Sequence, residues 1–228
     1  MKSSFKKKII IVVPARLGSK SIKNKNVRLV NSVPLINYTF ESIKQINLPK
    51  FVLSNDPRVI KIAKKFNINC SYKRPKNVSG DKSLTITLLK DFHQYAKKKL
   101  YYDYIVLLQP TSPIRDTNDI INSISKTIKH NYLKLSSISK SLEHPYESVY
   151  LNNDNIKSFF PKKKHTRRQD FDKDSYFING SLYIYHKSIL EKKFNNKYKE
   201  GYYVMKKINS FDIDDYEDLQ IVEKILKK

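Results

Sequence analysis

Residues 9–13 read Ile-Ile-Ile-Val-Val, five β-branched apolar residues in succession, and Pro14 ends the run. A strand with one wet face alternates apolar and polar residues, so an unbroken run reads as a parallel strand buried on both faces. Such a strand needs covering layers above and below it, which restricts the chain to α/β architectures. The loop that follows carries Arg16, Lys20 and Lys25 around Gly18. It lies at the strand's carboxyl end, the edge where open α/β sheets bind ligands. Those fixed cations suit phosphate and would stabilise charge developing in phosphoryl or nucleotidyl transfer. Charge alone favours the plainer alternative, a solvated basic loop in a lysine-rich chain.

The rest of the chain keeps the same grammar. Residues 34–46 carry Leu35, Ile36, Phe40, Ile43 and Ile46 at helical spacing, followed by a short strand at 51–53. A second helix follows Pro57, then a strand near 68–72; a long helix begins after Gly80-Asp81, and 104–108 is another buried strand. Helix resumes near Thr117, read as its cap, before a strand at 133–138. Strands at 181–185 and 202–205 and a closing amphipathic helix at 216–226 complete the pattern. The alternation predicts a right-handed, mostly parallel, three-layer sheet within a single domain spanning residues 1–228. Residues 141–174 break it with short apolar pieces among Asn, Asp, Lys and Pro, too long for an idle loop in a compact domain. They read as a protruding functional or dimerisation arm.

Composition narrows the setting. The 228 residues suffice for one sizeable α/β domain, and the single cysteine, Cys70, permits no internal disulfide and no Cys-rich zinc site, which favours a reducing cytoplasm. The apolar run after residues 6–8 is too short for a signal-peptide core or a membrane span, so neither secretion nor membrane attachment is expected. A net charge of +24 raises nucleic-acid binding as a competing class. Against it, only seven of the 45 basic residues are arginine and the lysines are dispersed along the chain. Arginine's planar fork reads phosphate and carboxylate in a way lysine does not, so the few arginines mark candidate sites.

No Walker A or Gly-x-Gly-x-x-Gly pattern occurs, and four glycines in all exclude a glycine cradle. Asp212-Ile213-Asp214 offers a second constellation. In extended backbone, residues two apart point the same way, so both carboxylates can converge on one hard cation while Ile213 faces the core. A helix cap fits this segment equally well, and Asp215 reads as one. Gln109-Pro110-Thr111-Ser112-Pro113, with Arg115, lies at another strand end and could read a polar ligand, although a plain strand-to-helix turn has the same look. His144 has no metal-ligand neighbours at suitable spacing and reads as structural or interfacial. Asn179-Gly180 is either a hairpin turn or a point of close ligand approach.

Together and in order, these motifs resemble the acylneuraminate cytidylyltransferases, which make CMP-sialic acid and its bacterial relatives. The family's P-A-R-x-G-S-K-x-I-x-x-K-N stands here as Pro14 through Asn26, its L-Q-P-T-S-P-x-R as Leu108 through Arg115, and its I-D-I-D as Phe211-Asp212-Ile213-Asp214. Its R-x-Q-D and N-G-x-x-Y-I features stand as Arg167/Arg168-Gln169-Asp170 and Asn179-Gly180-Ser181-Leu182-Tyr183-Ile184. The match covers nearly the whole chain.

The resemblance implies a Rossmann-like α/β/α nucleotidyltransferase fold in which the arm at 141–174 completes a partner's site in a homodimer. It implies attack by the anomeric hydroxyl of a nonulosonic acid on the α-phosphate of CTP, releasing pyrophosphate for cell-surface glycan synthesis. Arg16, Lys20 and Lys25 would bind the triphosphate, with Ala15 and Gly18 beside it, Asn26 and Arg74 near cytosine and Thr85 near ribose. Asp212 and Asp214 would hold magnesium, or manganese in its place, with Asp214 also counted among the catalytic groups. Gln109, Arg168, Asn179 and Tyr183 would contact the sugar acid. Three features depart from the family's pattern. Lys23 stands where proline is common, Phe177 stands where many members carry arginine, and of the aromatic pair in the sugar pocket only Phe194 is near. Legionaminic-type sugars therefore stand beside N-acetylneuraminate as expected substrates. A cytidylyltransferase for the eight-carbon acid Kdo is the alternative within catalysis, and a basic nucleic-acid-binding protein the alternative outside it.

Overall fold

The computed structural model describes residues 7–19, 21–80, 83–160, 173–191 and 198–227. Strand β1 (Ile9–Ala15) is buried along nearly its whole length and lies between β4 (Lys50–Ser54) and β5 (Tyr104–Leu108), parallel to both. The two-stranded ribbon of β2 (Leu29–Val30) and β3 (Val33–Pro34) separates the first loop from helix α1 (Leu35–Ile43). Helices α2 (Pro57–Lys65), α3 (Thr85–Ala96) and α4 (Thr117–His130) follow β4 and β5 in turn.

The six-stranded sheet continues with β6 (Lys134–Lys140), β9 (Tyr176–His186) and β10 (Glu200–Val204), in the order β10-β6-β9-β5-β1-β4. Only β9 runs against its neighbours, so the sheet is mostly parallel as the alternation predicts.

The pleat of β1 sorts the core. Ile9, Ile11 and Val13 pack with α1, α2 and α4 through Phe40, Val59 and Ile120. Ile10 and Val12 pack on the other face with Leu88, Leu89 and Phe92 of α3 and Leu190 of α5 (Lys187–Glu191). Both faces of the run are thus dry, which is why it carries no polar residue. A third cluster joins Ile22, Val30 and Leu35 to Ile213, Leu219 and Val222, binding the first loop to α6 (Tyr216–Leu226).

Several local expectations are corrected. The strand expected near 68–72 is reduced to one bridge, Phe51 to Asn69, which follows a left-handed turn at Asn67. Helix α4 is capped by Asp116 rather than Thr117: the Asp116 carboxylate accepts from Asp119 N, and Asp119 accepts from Asp116 N in return. Residues 149–158 are the hairpin β7 (Val149–Asn152) and β8 (Asn155–Ser158), so the expected arm has structure of its own. His144 caps the short turn before it, its Nδ1 accepting from Tyr146 N and its Nε2 lying 3.3 Å from Lys173 O, in keeping with a structural role. Among the described residues no helix is long and apolar enough to cross a membrane.

Candidate active site

Because β1, β4 and β5 are parallel, the loops that leave them gather at one edge of the sheet. The first loop is pinned there by its neighbour: Leu17 N donates to Asn55 Oδ1 at 2.7 Å, and Arg58, which clasps Asp56 from within α2, also donates to Asn24 Oδ1 at 2.9 Å. The cleft beside it, of about 210 Å³, is lined by Pro14, Arg16, Gly18, Ser19, Lys25, Asn26, Arg74, Ser83, Thr85, Leu88, Gln109, Pro110 and Thr111. Gly18 sits at φ +77°, a left-handed conformation costly for any other residue, and a Cβ there would meet nothing within 4 Å. Arg74 is held by two donations to Val78 O, and burial together with Arg16 pushes its guanidinium pKa down. Two arginines facing a common space carry an electrostatic cost that an anion between them relieves.

Not every expected nucleotide contact reaches this cleft. Ala15 is buried in the core and does not line it. Lys25 lines it, yet its ammonium donates to Ile213 O at 2.7 Å and Asp214 O at 3.2 Å, with Asp214 Oδ1 3.8 Å away. Its first task is to clasp the acidic segment. Asn26 also lines the cleft, donating to Arg16 O. Lys20 and Arg168 lie outside the described residues, as do Arg167, Gln169, Asp170 and Phe194.

Asp212 and Asp214 border a second cleft of about 390 Å³, with Ile213 between them fully buried, as the alternation requires. Thr111 O accepts from Ile213 N at 2.9 Å and Ser112 Oγ donates to Asp212 Oδ1 at 3.0 Å, so the loop that lines the first cleft also fixes the acid facing the second. Burial raises the Asp212 pKa, hydrogen bonds from Thr111 and Ser112 oppose that rise, and nearby Asp214 adds to it. The Asp214 side chain is highly exposed and accepts no N–H of the helix start. The cap is Asp215, as expected, which accepts from Glu217 N and Asp218 N, while Asp218 accepts from Asp214 N and Asp215 N.

Behind the loop stands Arg115, wholly buried. It donates to Ser181 O at 2.6 Å, Ser181 Oγ at 3.1 Å, Gln109 O at 3.3 Å and Thr39 Oγ1 at 3.2 Å. Burial lowers its pKa to about 10, against the pull of Asp119 and Asp212. It locks β5, β9 and α1 together under the site. The sequence marked Arg115 and Ser112 only as motif members; spacing alone could not reveal that they brace the site.

The β6–β9 pairing is bulged here. Ser136 pairs with Tyr183 and Ile138 with Ile178, so two steps of β6 face five of β9. Asn179 anchors the bulge. Its Oδ1 accepts from Ser137 Oγ at 2.6 Å and Ser181 N at 3.2 Å, and its Nδ2 donates to Ser139 Oγ at 2.8 Å. The amide is spent inside the protein, so Asn179 shapes the second cleft rather than offering its side chain. Gly180, at φ +75°, brings bare backbone to the acid: a Cβ there would lie 3.8 Å from Asp212 Oδ2. Asn179-Gly180 is therefore a bulge within a strand, not a hairpin turn. Tyr183 stacks on Tyr185 against the α3 side of the core and lines neither cleft. Gln109 lines the first cleft, not the second.

A cationic cleft at the carboxyl edge of a parallel sheet, separated by a carboxylate pair from a second cleft, is the arrangement of a nucleotidyltransferase. A family model described as cytidylyltransferase matches residues 10–227. A pseudaminic acid cytidylyltransferase of Campylobacter jejuni (strain 81-176) is 30% identical over 97% of this chain and 97% of its own length. An N-acylneuraminate cytidylyltransferase of Escherichia coli O18:K1:H7 is 31% identical over 97% of this chain and 52% of its own. A solved structure of CMP:2-keto-3-deoxy-manno-octonic acid synthetase complexed with CTP superimposes with a TM-score of 0.70 over 96% of this chain and 98% of that one, at 15% identity. That likeness bears on the fold, which is the Rossmann-like nucleotidyltransferase fold expected from the motifs. The chain belongs to the cytidylyltransferase family and is a CTP-dependent cytidylyltransferase.

Proposed function

We infer that the protein transfers CMP from CTP to the anomeric hydroxyl of a sialic-acid-like nonulosonic acid and releases pyrophosphate. The observation that carries this reading is the position of Asp212, bound to the loop that lines the cationic cleft and itself bordering the second cleft. CTP would occupy the first cleft, with Arg16 and Arg74 meeting anionic oxygens and Thr85 and Asn26 lining the remainder. The sugar acid would occupy the second, its reacting hydroxyl against Gly180 and Asp212. The sugars named for the two relatives support a nonulosonic acid over the eight-carbon class.

The acid pair fits magnesium. That ion takes one or two protein carboxylates together with substrate phosphate oxygens. The ion would rest on Asp212 and Asp214, with phosphate oxygens of the substrate completing its coordination. When bound it would supply Lewis-acid stabilisation and a template for in-line displacement. The chain's own work is orientation. Ser112 and Lys25 fix the two acids by side-chain and backbone contacts, and Arg115 keeps the Gln109–Ser112 turn against β9. We further assign a cytoplasmic setting, a product destined for surface glycans and a homodimer joined through the arm at 141–174; the exposed apolar hairpin supports the last.

The test is pyrophosphate release from CTP with a panel of nonulosonic acids and Kdo, with and without magnesium. Turnover with a nonulosonic acid and none without the metal is expected. Release with Kdo alone would move the protein to the eight-carbon class, and no release with any acid would overturn the reading.

A further inference from the structure

Asp119 is a buried carboxylate to which the reaction, as read so far, gives no task. It is 5% exposed and is the third residue of α4, where its share of the capping box is a bond from Asp116 N at 3.3 Å. An acid on the surface can make that bond and keep its water. Asp119 is buried because it also meets a distant part of the chain. Asn209 Nδ2 donates to Asp119 Oδ2 at 3.0 Å and to Asp116 Oδ2 at 3.3 Å, and the Tyr203 hydroxyl of β10 donates to Asp119 Oδ1 at 3.4 Å. Asn209 lies in the helical turn Lys207–Ser210, which leads through extended Phe211 into Asp212. From there the two stretches run together in opposite directions: Asn209 on Asp116 and Asp119, Asp212 on Ser112, and Ile213 N on Thr111 O. Only Ser210 and Phe211 separate the first of these contacts from the second. Between them stands buried Arg115, which feels the charges of both Asp119 and Asp212.

We propose that Asp119 and Asn209 form a positioning clamp for the reaction centre, fixing where the Asp212 carboxylate stands beside Gly180. The inference rests on reading Asp212 as an acid of the nucleotidyl transfer. Three residues of chain reach at most about 10 Å, so a displacement of Asn209 passes to Asp212 instead of being taken up by slack. Ser112, Thr111 and Lys25 hold the segment from Asp212 onward, and the clamp holds it on the approach. The clamp is also directional. One amide nitrogen can give a hydrogen to each of two carboxylates, which sets the rotation of the turn as well as its distance, and bonds to ionised acceptors are stronger than neutral ones. Partners that orient a metal-binding carboxylate from behind govern metal affinity and activity without touching substrate. Asp119 and Asn209 are positioning residues of that kind.

The experiment uses the full chain with Asn209→Ala, Asp119→Ala and the conservative Asp119→Asn, whose amide oxygen still accepts from Asn209 and from Asp116 N. In Asn209→Ala, kcat is expected to fall and the half-saturating magnesium concentration to rise, each by about 10-fold, with the KM for CTP at saturating magnesium unaltered. In the absence of metal and substrate, amide hydrogen exchange at Ile213 is expected to quicken by about 10-fold, while exchange at Ile11 and Val106 in the sheet stays as in the wild type. Asp119→Ala should follow Asn209→Ala, and Asp119→Asn should recover most of what it loses. A lower melting temperature with kcat and the magnesium requirement unaltered would make the contact a brace of the fold alone and overturn the proposal. Faster exchange spread evenly over Ile213 and the sheet would overturn it too. Ile213 exchange unaltered by Asn209→Ala removes the clamp and leaves the proposed reaction standing, whereas no turnover by the wild type with any acid removes the reaction and the clamp's task together.

Discussion

Asp212 faces opposed demands. Holding a divalent cation requires its ionised form, whereas burial holds its carboxyl above the usual aspartate range. At sub-saturating magnesium, catalytic efficiency should therefore fall as pH drops through a pKa higher than that of an exposed aspartate, which a pH profile of kcat/KM at a fixed low magnesium concentration checks. The same shift predicts a trade between stability and activity. A carboxyl whose pKa is raised by folding favours the native state when protonated, and that contribution is lost as pH rises through the folded pKa. Asp212→Asn, which resembles the protonated form, should melt at a higher temperature than the wild type in the absence of metal, with a gap that widens as pH rises through the raised folded pKa of Asp212. Turnover should fall by about 100-fold or more, the equivalent of a few kcal/mol of lost charge stabilisation. Arg115 makes the opposite bargain. Lysine there cannot span Ser181, Gln109 and Thr39 at once, so Arg115→Lys is expected to cost about 1–3 kcal/mol in urea denaturation, because buried acceptors lose their donors.

At the scale of elements, periodicity told most where one residue's environment followed from its neighbours. The Ile9–Val13 run, the Asp215 cap and the last helix are local patterns, and the structure has them where the sequence puts them. Asn179 and Lys25 carry bracing contacts that were hidden in the sequence for one common reason: each bonds residues far along the chain, 42 positions away at Ser137 and 188 at Ile213. No spacing rule reports such partners. The bulge of β9 was equally hidden, since Asn-Gly reads as a turn until the pairing with β6 is known. Gly180→Ala tests what the bulge contributes. At φ +75° an alanine is expected to cost about 1–2 kcal/mol, and its methyl group would stand 3.8 Å from Asp212 Oδ2. Denaturation midpoints and kcat/KM should drop together, with the sugar acid's KM rising more than that of CTP.

At the scale of the molecule, the sheet and its two covering layers form a conventional interior, whereas the hairpin β7–β8 is exposed along both strands. Leu151 and Ile156, 79% and 70% exposed and paired across the hairpin, have no covering layer among the described residues. If the arm joins two copies, as proposed, replacing both with serine should halve the sedimenting mass at micromolar concentration and leave the monomer's melting cooperative. A mass that stays at twice that of the chain would place the contact elsewhere. The departure of residues 141–174 from the alternation was legible in the sequence, but the hairpin β7–β8 was not, because Asn and Asp between short apolar pieces also describe an irregular loop.

The clasp of Lys25 on Ile213 and Asp214 has a temporal consequence. During synthesis β1, its loop and the central strands emerge long before the segment that closes them, so a nascent chain can build most of its sheet without owning a reaction centre. The ammonium awaits its carbonyls, and Ile22 and Leu35 await Leu219 and Val222. The clasp is therefore among the last contacts the emerging chain can make. By the same logic, a protease that removes α6 would strip Leu219 and Val222 from Ile22 and Leu35 beneath the first loop.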